Sequence, residues 1–220
     1  MTGLEHPPAE PVALFGGTFD PVHYGHLRCA EEAREKLGLK RMTLLPAGTP
    51  PHRARPQTTT RQRLDMLELA QKEFPSLEID EREARREGPS YMVETLQELR
   101  AEFPQSPLLL LVGQDAANLL HSWFRWQTLF ELAHIVILTR PFIEVEYRED
   151  VAEQIHGRLL TDPRQLLSST AGGVLPLEVV SIDISATHIK KIIRQGRSLE
   201  SLMPNAVIDY IAENHLYSPP

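Results

Sequence analysis

The sequence predicts an α/β fold built on a doubly wound parallel sheet. Three observations carry that expectation. An apolar run, Val12 to Phe15, feeds directly into the turn Gly16-Gly17-Thr18-Phe19-Asp20-Pro21-Val22-His23-Tyr24-Gly25-His26, and a helical pattern follows at once. Two later runs, Leu108 to Val112 and Ile135 to Leu138, are apolar without alternation, as strands are when helices cover both faces of a parallel sheet. Between such runs apolar residues recur at helical spacing, so strands and helices alternate along the chain.

Composition narrows the class. At 220 residues the chain suffices for one sizeable domain, and 41% hydrophobic with 24% charged residues is ordinary for a soluble globular protein. No apolar run approaches a membrane span, and no basic stretch followed by an apolar one opens the chain. The single cysteine, Cys29, excludes an internal disulfide framework and a thiolate zinc cluster. It falls in the first helical pattern and reads as a packed small residue. These features point to the cytoplasm. A net charge of −7 argues against a nucleic-acid partner, and an anionic substrate would need positive charge gathered locally. Residues 1–10 read as a loose tail and 11–220 as a single domain, of which 185–220 is a helical C-terminal part.

The first helix places Leu27, Ala30, Ala33 and Leu37 on one face and stops at Gly38. The turn before it offers specific chemistry. Gly16 and Gly17 carry no Cβ, so a ligand can approach the backbone closely. N–H groups of the loop and the first helical turn favour a phosphate. If the helix begins near Tyr24, His23 and His26 project to one side, as two donors suited to charge developing in a transition state. A Gly-Gly-Thr turn alone is usually only a turn, and a lone histidine at a helix start is usually a cap. The whole string between a buried strand and a helix points to phosphate binding. It is neither a Walker motif nor a dinucleotide fingerprint, because the required Gly-Lys-Ser/Thr and third glycine are missing.

The string resembles the N-terminal signature of the nucleotidyltransferase superfamily with the His-x-Gly-His motif, and within it the bacterial-type nicotinate-mononucleotide adenylyltransferases. That resemblance implies a Rossmann-like nucleotidyltransferase fold with a small C-terminal helical cap. It implies ATP-binding roles for Gly16, Gly17, Thr18, Phe19, His23 and His26, with both histidines catalytic.

The remaining elements follow in order. Arg41 to Pro46 reads as a second strand. The loop after it, Ala47 to Pro56, is either a solvated turn or a basic lip over a phosphate. The family has Pro-Pro-His-Lys here, which implies mononucleotide binding by His52 and by Arg53 in the lysine's place. Thr60 to Phe74 is helical, and Leu77 to Asp80 is a short strand. Arg82, Arg85 and Arg86 alternate with acids as on a solvated face. Another helix starts at Gly88-Pro89-Ser90-Tyr91-Met92 with Ser90 as its N-cap, and the resemblance brings Thr95 to the pyridine ring.

Leu108 to Val112 ends in Gly113-Gln114-Asp115, where Gly113 and Asp115 are expected to bind ATP: Asp115 can accept from ribose hydroxyls and can also cap a helix, and its place just past the strand end favours the ribose. Of the two tryptophans, Trp126 reads as core, whereas Trp123 resembles the family's aromatic that stacks on the pyridine. Ile135 to Leu138 is the next buried strand, with Arg140 at its carboxyl end where the family has an Arg-Pro pair. Tyr147 to Leu160 reads as a helix, 161–173 as a loop and Val179 to Ile184 as a strand.

A second signature then begins: Ile184-Ser185-Ala186-Thr187-His188-Ile189-Lys190. It resembles the family's Ile-Ser-(Ser/Thr)-Thr-x-Ile-Arg and implies ATP contacts by Ile184, Ser185, Thr187 and Lys190, with Lys190 catalytic beside the two histidines. Ala186 replaces a hydroxyl residue. Lys190 replaces arginine, keeping charge but losing the bidentate fork. Ser185 reads as an N-cap, Ile189, Ile192 and Ile193 as an apolar face and Gly196 as the stop. Val207, Ile208 and Ile211 form one face of a last helix.

The resemblance implies that ATP and nicotinate mononucleotide give deamido-NAD and pyrophosphate. The transfer would be direct and in line, with Mg²⁺ held by substrate and water rather than by a protein cage. The alternatives are a related adenylyltransferase, such as a phosphopantetheine adenylyltransferase, or a nucleotide-binding sensor without turnover. No motif sets an oligomeric state.

Overall fold

The computed structural model describes residues 9–49, 56–139, 144–180, 182 and 184–218. Six strands form one sheet: β1 (Val12–Gly17), β2 (Met42–Pro46), β3 (Leu77–Ile79), β4 (Leu108–Gly113), β5 (His134–Thr139) and β6 (Val174–Glu178). Their order is β3-β2-β1-β4-β5-β6 and every pairing is parallel. The chain winds outward from β1 to β2 on one side and resumes at β4 on the other. The switch point therefore lies between β1 and β4, where open α/β sheets bind ligands beyond the strand ends.

Neighbouring residues on each strand supply opposite cores. Leu109 and Leu111 face a core built with α1 (Tyr24–Lys36), α2 (Thr60–Gln71), α8 (Ala186–Arg194) and α9 (Asn205–Glu213). Leu108, Leu110 and Val112 face the other, built with α4 (Met92–Glu102), α5 (Gln114–Asn118), α6 (Trp126–Leu132) and α7 (Glu149–His156). Two covered faces explain why these strands lack polar alternation. Cys29 is buried in the first core and Trp126 in the second.

The helices begin and end where local chemistry allows. Thr59 caps α2 through a capping box with Gln62. Ser185 caps α8, accepting from the His188 N–H at 3.2 Å. Gly38 and Gly196 follow α1 and α8 with φ of 65° and 62°, a left-handed stop that favours glycine.

Several expectations need correcting. The sixth strand is Val174–Glu178, not Val179 to Ile184. Pro176 pairs with Ile137 inside it. A proline argues against a central strand, but β6 is the sheet edge, where a missing N–H costs no ladder bond. Ser90 is not a helix cap: α4 starts at Met92 after Tyr91. Ser90 is instead buried, its N–H donating to the Thr49 carbonyl at 3.1 Å and its hydroxyl directed at the Glu83 carbonyl at 3.4 Å. The helix expected over Tyr147 to Leu160 is shorter, Glu149–His156, because Leu160 donates its N–H to Val174. The helix expected to reach Phe74 ends at Gln71. The arginines after β3 are not merely solvated. α3 (Arg82–Arg85) ties Arg82 to Asp80 and Glu102, and Arg86 reaches Glu98.

Candidate active site

A cavity of about 560 Å³ opens at the carboxyl ends of β1 and β4. Its floor is Phe15 to Asp20 together with Leu110 to Gly113. Gly16 leaves room, with Met92 Cε 3.4 Å from where a Cβ would stand. Gly17 serves a different purpose from the one expected: a Cβ there would meet the Phe19 ring at 2.8 Å. The space belongs to Phe19 rather than to a ligand. Phe19 is buried with φ of 50°, an uncommon conformation for a bulky residue. Its ring meets His26 edge-on at 5.0 Å.

His23 is the N-cap position of α1, and the rings of His23 and His26 stack with centroids 3.7 Å apart. Gly25 makes that possible. A Cβ there would lie 2.8 Å from His23 Nδ1 and 3.1 Å from the Ile184 carbonyl oxygen. The same close approach brings the second signature against the first. Ile184, Ser185, Ala186 and Lys190 line the cavity opposite the histidines.

Asp20 joins these parts. It is 4% exposed. Oδ2 accepts from Lys190 Nζ at 2.6 Å and the Gln57 N–H at 3.0 Å, while Oδ1 accepts from Thr58 Oγ1 at 2.6 Å and the Tyr217 hydroxyl at 2.7 Å. Burial alone would push its carboxyl up, but these four donors together hold it below the usual carboxylate range.

Arg63 ties the neighbouring loops. It is 1% exposed. Its guanidinium donates to the carbonyls of Thr18 at 2.9 Å, Ala47 at 2.5 Å and Gly48 at 3.0 Å. One planar fork thus fastens the signature turn to the loop after β2.

The far wall is aromatic. Trp123, Phe124, Tyr91 and Met92 line it, with the Tyr91 and Phe124 rings 4.7 Å apart. Thr95, expected beside the pyridine, lies behind this wall. It is fully buried, and its hydroxyl donates to Glu83 Oε1 at 2.7 Å. Burial raises the Glu83 carboxyl above its ordinary range, against the opposing pull of Thr95 and Arg86. Thr95 acts on the wall through Glu83 and does not line the cavity.

Gly16, Gly17, Thr18, Phe19, His23, His26, Gly113, Asp115, Trp123, Ile184, Ser185 and Lys190 all line this one cavity. Asp115 is in the first turn of α5, and Gly113 occupies the cap position, so Asp115 is not the N-cap. Thr187 is exposed on α8 outside the lining. His52, Arg53 and Arg140 lie outside the described residues. Asp20, Arg63, Glu83 and Tyr217 were not singled out from the sequence. Asp20 sits inside the first signature and could have been. The others act through contacts distant in sequence and leave no local pattern.

Three helices of eight or more residues, α1, α4 and α8, begin at the cavity wall. First-turn N–H groups lack intrahelical partners and favour anions, although the Tyr24 N–H of α1 already donates to the Leu202 carbonyl at 2.9 Å and the His188 N–H of α8 to Ser185 Oγ at 3.2 Å. Among the described lining residues, Lys190 is the one lysine or arginine. The arrangement can hold a polyanion at the histidine end and a flat ring at the tryptophan end.

The cytidylyltransferase-like family model matches residues 14–192. A protein of Methylococcus capsulatus named "Probable nicotinate-nucleotide adenylyltransferase" is 46% identical over 208 residues, 94% of this chain and 99% of that one. One of the same name from Halorhodospira halophila is 44% identical, over 97% of this chain and 98% of its own. A structure of Plasmodium falciparum nicotinic acid mononucleotide adenylyltransferase complexed with NaAD superposes with a TM-score of 0.72 over 94% of this chain and 97% of that one. At 13% identity it speaks to the fold.

Proposed function

The chain belongs to the cytidylyltransferase-like family, and from that premise we propose that it is a nicotinate-nucleotide adenylyltransferase. It transfers the adenylyl group of ATP to nicotinate mononucleotide, giving deamido-NAD and pyrophosphate. The observation that carries this reading is the single cavity whose lining holds both the stacked His23 and His26 and Trp123. Near-full-length relatives at 46% and 44% identity support the same reaction.

The nucleophile is a phosphate oxygen of the mononucleotide. Its second pKa is about 6, so it is largely ionised at neutral pH and needs no general base. The protein's task is alignment and charge stabilisation. Gly16, Gly17, Thr18 and Phe19 shape the nucleotide side. His23 and His26 donate to the phosphates as charge shifts toward the leaving pyrophosphate, with Ser185 and Lys190 across the cavity. Asp115 and Gly113 stand where ribose hydroxyls can be met. Trp123 offers a flat face to the pyridine. His52, Arg53 and Arg140 are proposed as further mononucleotide contacts.

The donor set fits a Mg²⁺ ion carried by the nucleotide. Asp20 already accepts four hydrogen bonds, and imidazoles and an ammonium face the phosphate side. Such an ion would neutralise charge on the triphosphate.

The acid is preferred over the amide for a physical reason. The first turn of α4 borders the ring pocket through Tyr91 and Met92. Unpaired N–H groups there match a carboxylate, which only accepts, and oppose the amide's two donors.

The test is pyrophosphate release from ATP with nicotinate mononucleotide, its amide and phosphopantetheine, with products identified by mass. Deamido-NAD should form, with kcat/KM for the acid about 100-fold above that for the amide, roughly 2.7 kcal/mol. Equal efficiency with acid and amide overturns the specificity. Release with phosphopantetheine alone, or with no acceptor, overturns the function.

A further inference from the structure

We propose that Tyr217, near the C-terminus, is a positioning residue for the nucleotide's phosphates, acting through Asp20 to fix the Lys190 ammonium at the cavity wall. The inference rests on the reading of Lys190 as a phosphate-binding cation and goes beyond it by naming what aims that cation.

The need arises from the side chain itself. A lysine carries a point charge on a flexible four-carbon stem, without the guanidinium fork that orients an arginine. Such a charge is useful to a transferring phosphate only if something restricts its position. Here Asp20 Oδ2 holds Nζ at 2.6 Å, with the lysine side chain 18% and the aspartate side chain 5% exposed. Among the described residues Asp20 takes up one ammonium proton, which leaves two for a ligand.

Asp20 can restrain Lys190 only as firmly as it is itself held. A carboxylate offers about four lone-pair sites. All four are met, from the loop before α2 through Gln57 and Thr58, from α8 through Lys190, and from beyond α9 through Tyr217. The Tyr217 ring also lies 5.3 Å from Lys190 Nζ, within range of a cation–π contact. Tyr217 thus touches both members of the pair, from a position 197 residues away from Asp20 in the chain.

Two further facts separate Tyr217 from an ordinary core tyrosine. It is buried yet absent from the cavity lining, so any effect on substrate passes through its neighbours. Its φ is 61°, a left-handed conformation that a bulky residue adopts only where its surroundings compel it. In this conformation the hydroxyl lies 2.7 Å from Asp20 Oδ1.

The test is a double-mutant cycle of Tyr217→Phe with Lys190→Ala. It reads KM for ATP, KM for pyrophosphate in the reverse reaction, KM for nicotinate mononucleotide, kcat and the melting temperature. Tyr217→Phe removes one hydroxyl and keeps the ring. It should raise KM for ATP and pyrophosphate about 3–10-fold, the scale of one lost hydrogen bond, while KM for the mononucleotide stays level and kcat changes little. In the Lys190→Ala background the same change should add nothing.

A Tyr217→Phe effect of equal size in both backgrounds overturns the inference, because it then acts on the fold and not through Lys190. A folded Tyr217→Phe protein with parental KM values overturns it as well. If Lys190→Ala alone leaves both KM values unmoved, the reading of Lys190 falls, and the inference with it. Asp20→Asn, taken through the same cycle, asks the question at the middle of the chain of contacts should Tyr217→Phe fail to fold. It must raise KM for ATP only when Lys190 is present.

Discussion

At the scale of single residues, the proposed function leans most on His23 and His26. They share a cavity wall because Gly25 lets one ring fold back over the turn, and Phe19 braces the other edge-on. His26→Ala should lower kcat by about 10²–10³, the range for losing one transition-state donor. The melting temperature should change little, because His26 is only partly buried. Steady-state kinetics on the folded variant decide it, and a near-parental kcat removes His26 from the chemistry. That the two histidines share one wall was legible from their spacing, and that Trp123 reaches the same cavity from likeness to a family. Thr95 was misplaced for a reason that sequence does not reveal: its hydroxyl is taken by Glu83, twelve residues back across a loop. Arg63 was invisible for the same kind of reason. Its three carbonyl partners belong to two loops that only the folded sheet brings together.

At the scale of elements, strands buried on both faces, the edge strand β3 and the Ser185 cap of α8 were readable, and the edge strand β6 and the start of α4 were not. β6 holds a proline that only an edge tolerates, and edge position is a property of the whole sheet. A buried histidine fastens this edge to its neighbour. His134 opens β5, its Nε2 lies 2.9 Å from the Ser169 carbonyl, and its Nδ1 accepts from the Gly173 N–H at 2.9 Å. This arrangement needs the neutral ring, since a proton on Nδ1 would face the Gly173 donor. Burial, aided by nearby Arg100, holds its pKa below the ordinary value, against the opposite pull of Ser169. A lowered folded pKa means that the unfolded chain takes up the proton first. The contribution is complete above the unfolded value of about 6.5 and is lost as pH falls from there toward the folded pKa. Denaturant unfolding between neutral and mildly acidic pH should therefore show a loss of up to about 1.4 kcal/mol per pH unit from this group. His134→Gln should lack that component. Identical slopes in parent and variant would assign the pH dependence to other groups.

At the scale of the whole molecule, the fold class followed from alternating strand and helix patterns, and the switch point only from the strand order. The joining of the two signatures did not. Each is a local string, but the cavity exists because parallel pairing sets β1 beside β4 and packs α8 against the turn after β1. The chain's net charge is −7, and the cavity lining holds Asp20, Glu83 and Asp115 beside Lys190, so the hold on anionic substrates rests on directed donors, the two imidazoles and the Lys190 ammonium, rather than on net charge. The mononucleotide phosphate is itself an ionised nucleophile, so the reaction requires none from the described lining residues. The central claim is accordingly direct in-line transfer between the two bound substrates. The stereochemical course at the α-phosphorus tests it most directly, using ATP made chiral there with sulfur and labelled oxygen and reading the configuration of the dinucleotide formed with nicotinate mononucleotide. Inversion is the predicted result, and retention, the mark of two successive displacements through an adenylyl-enzyme, would contradict the account.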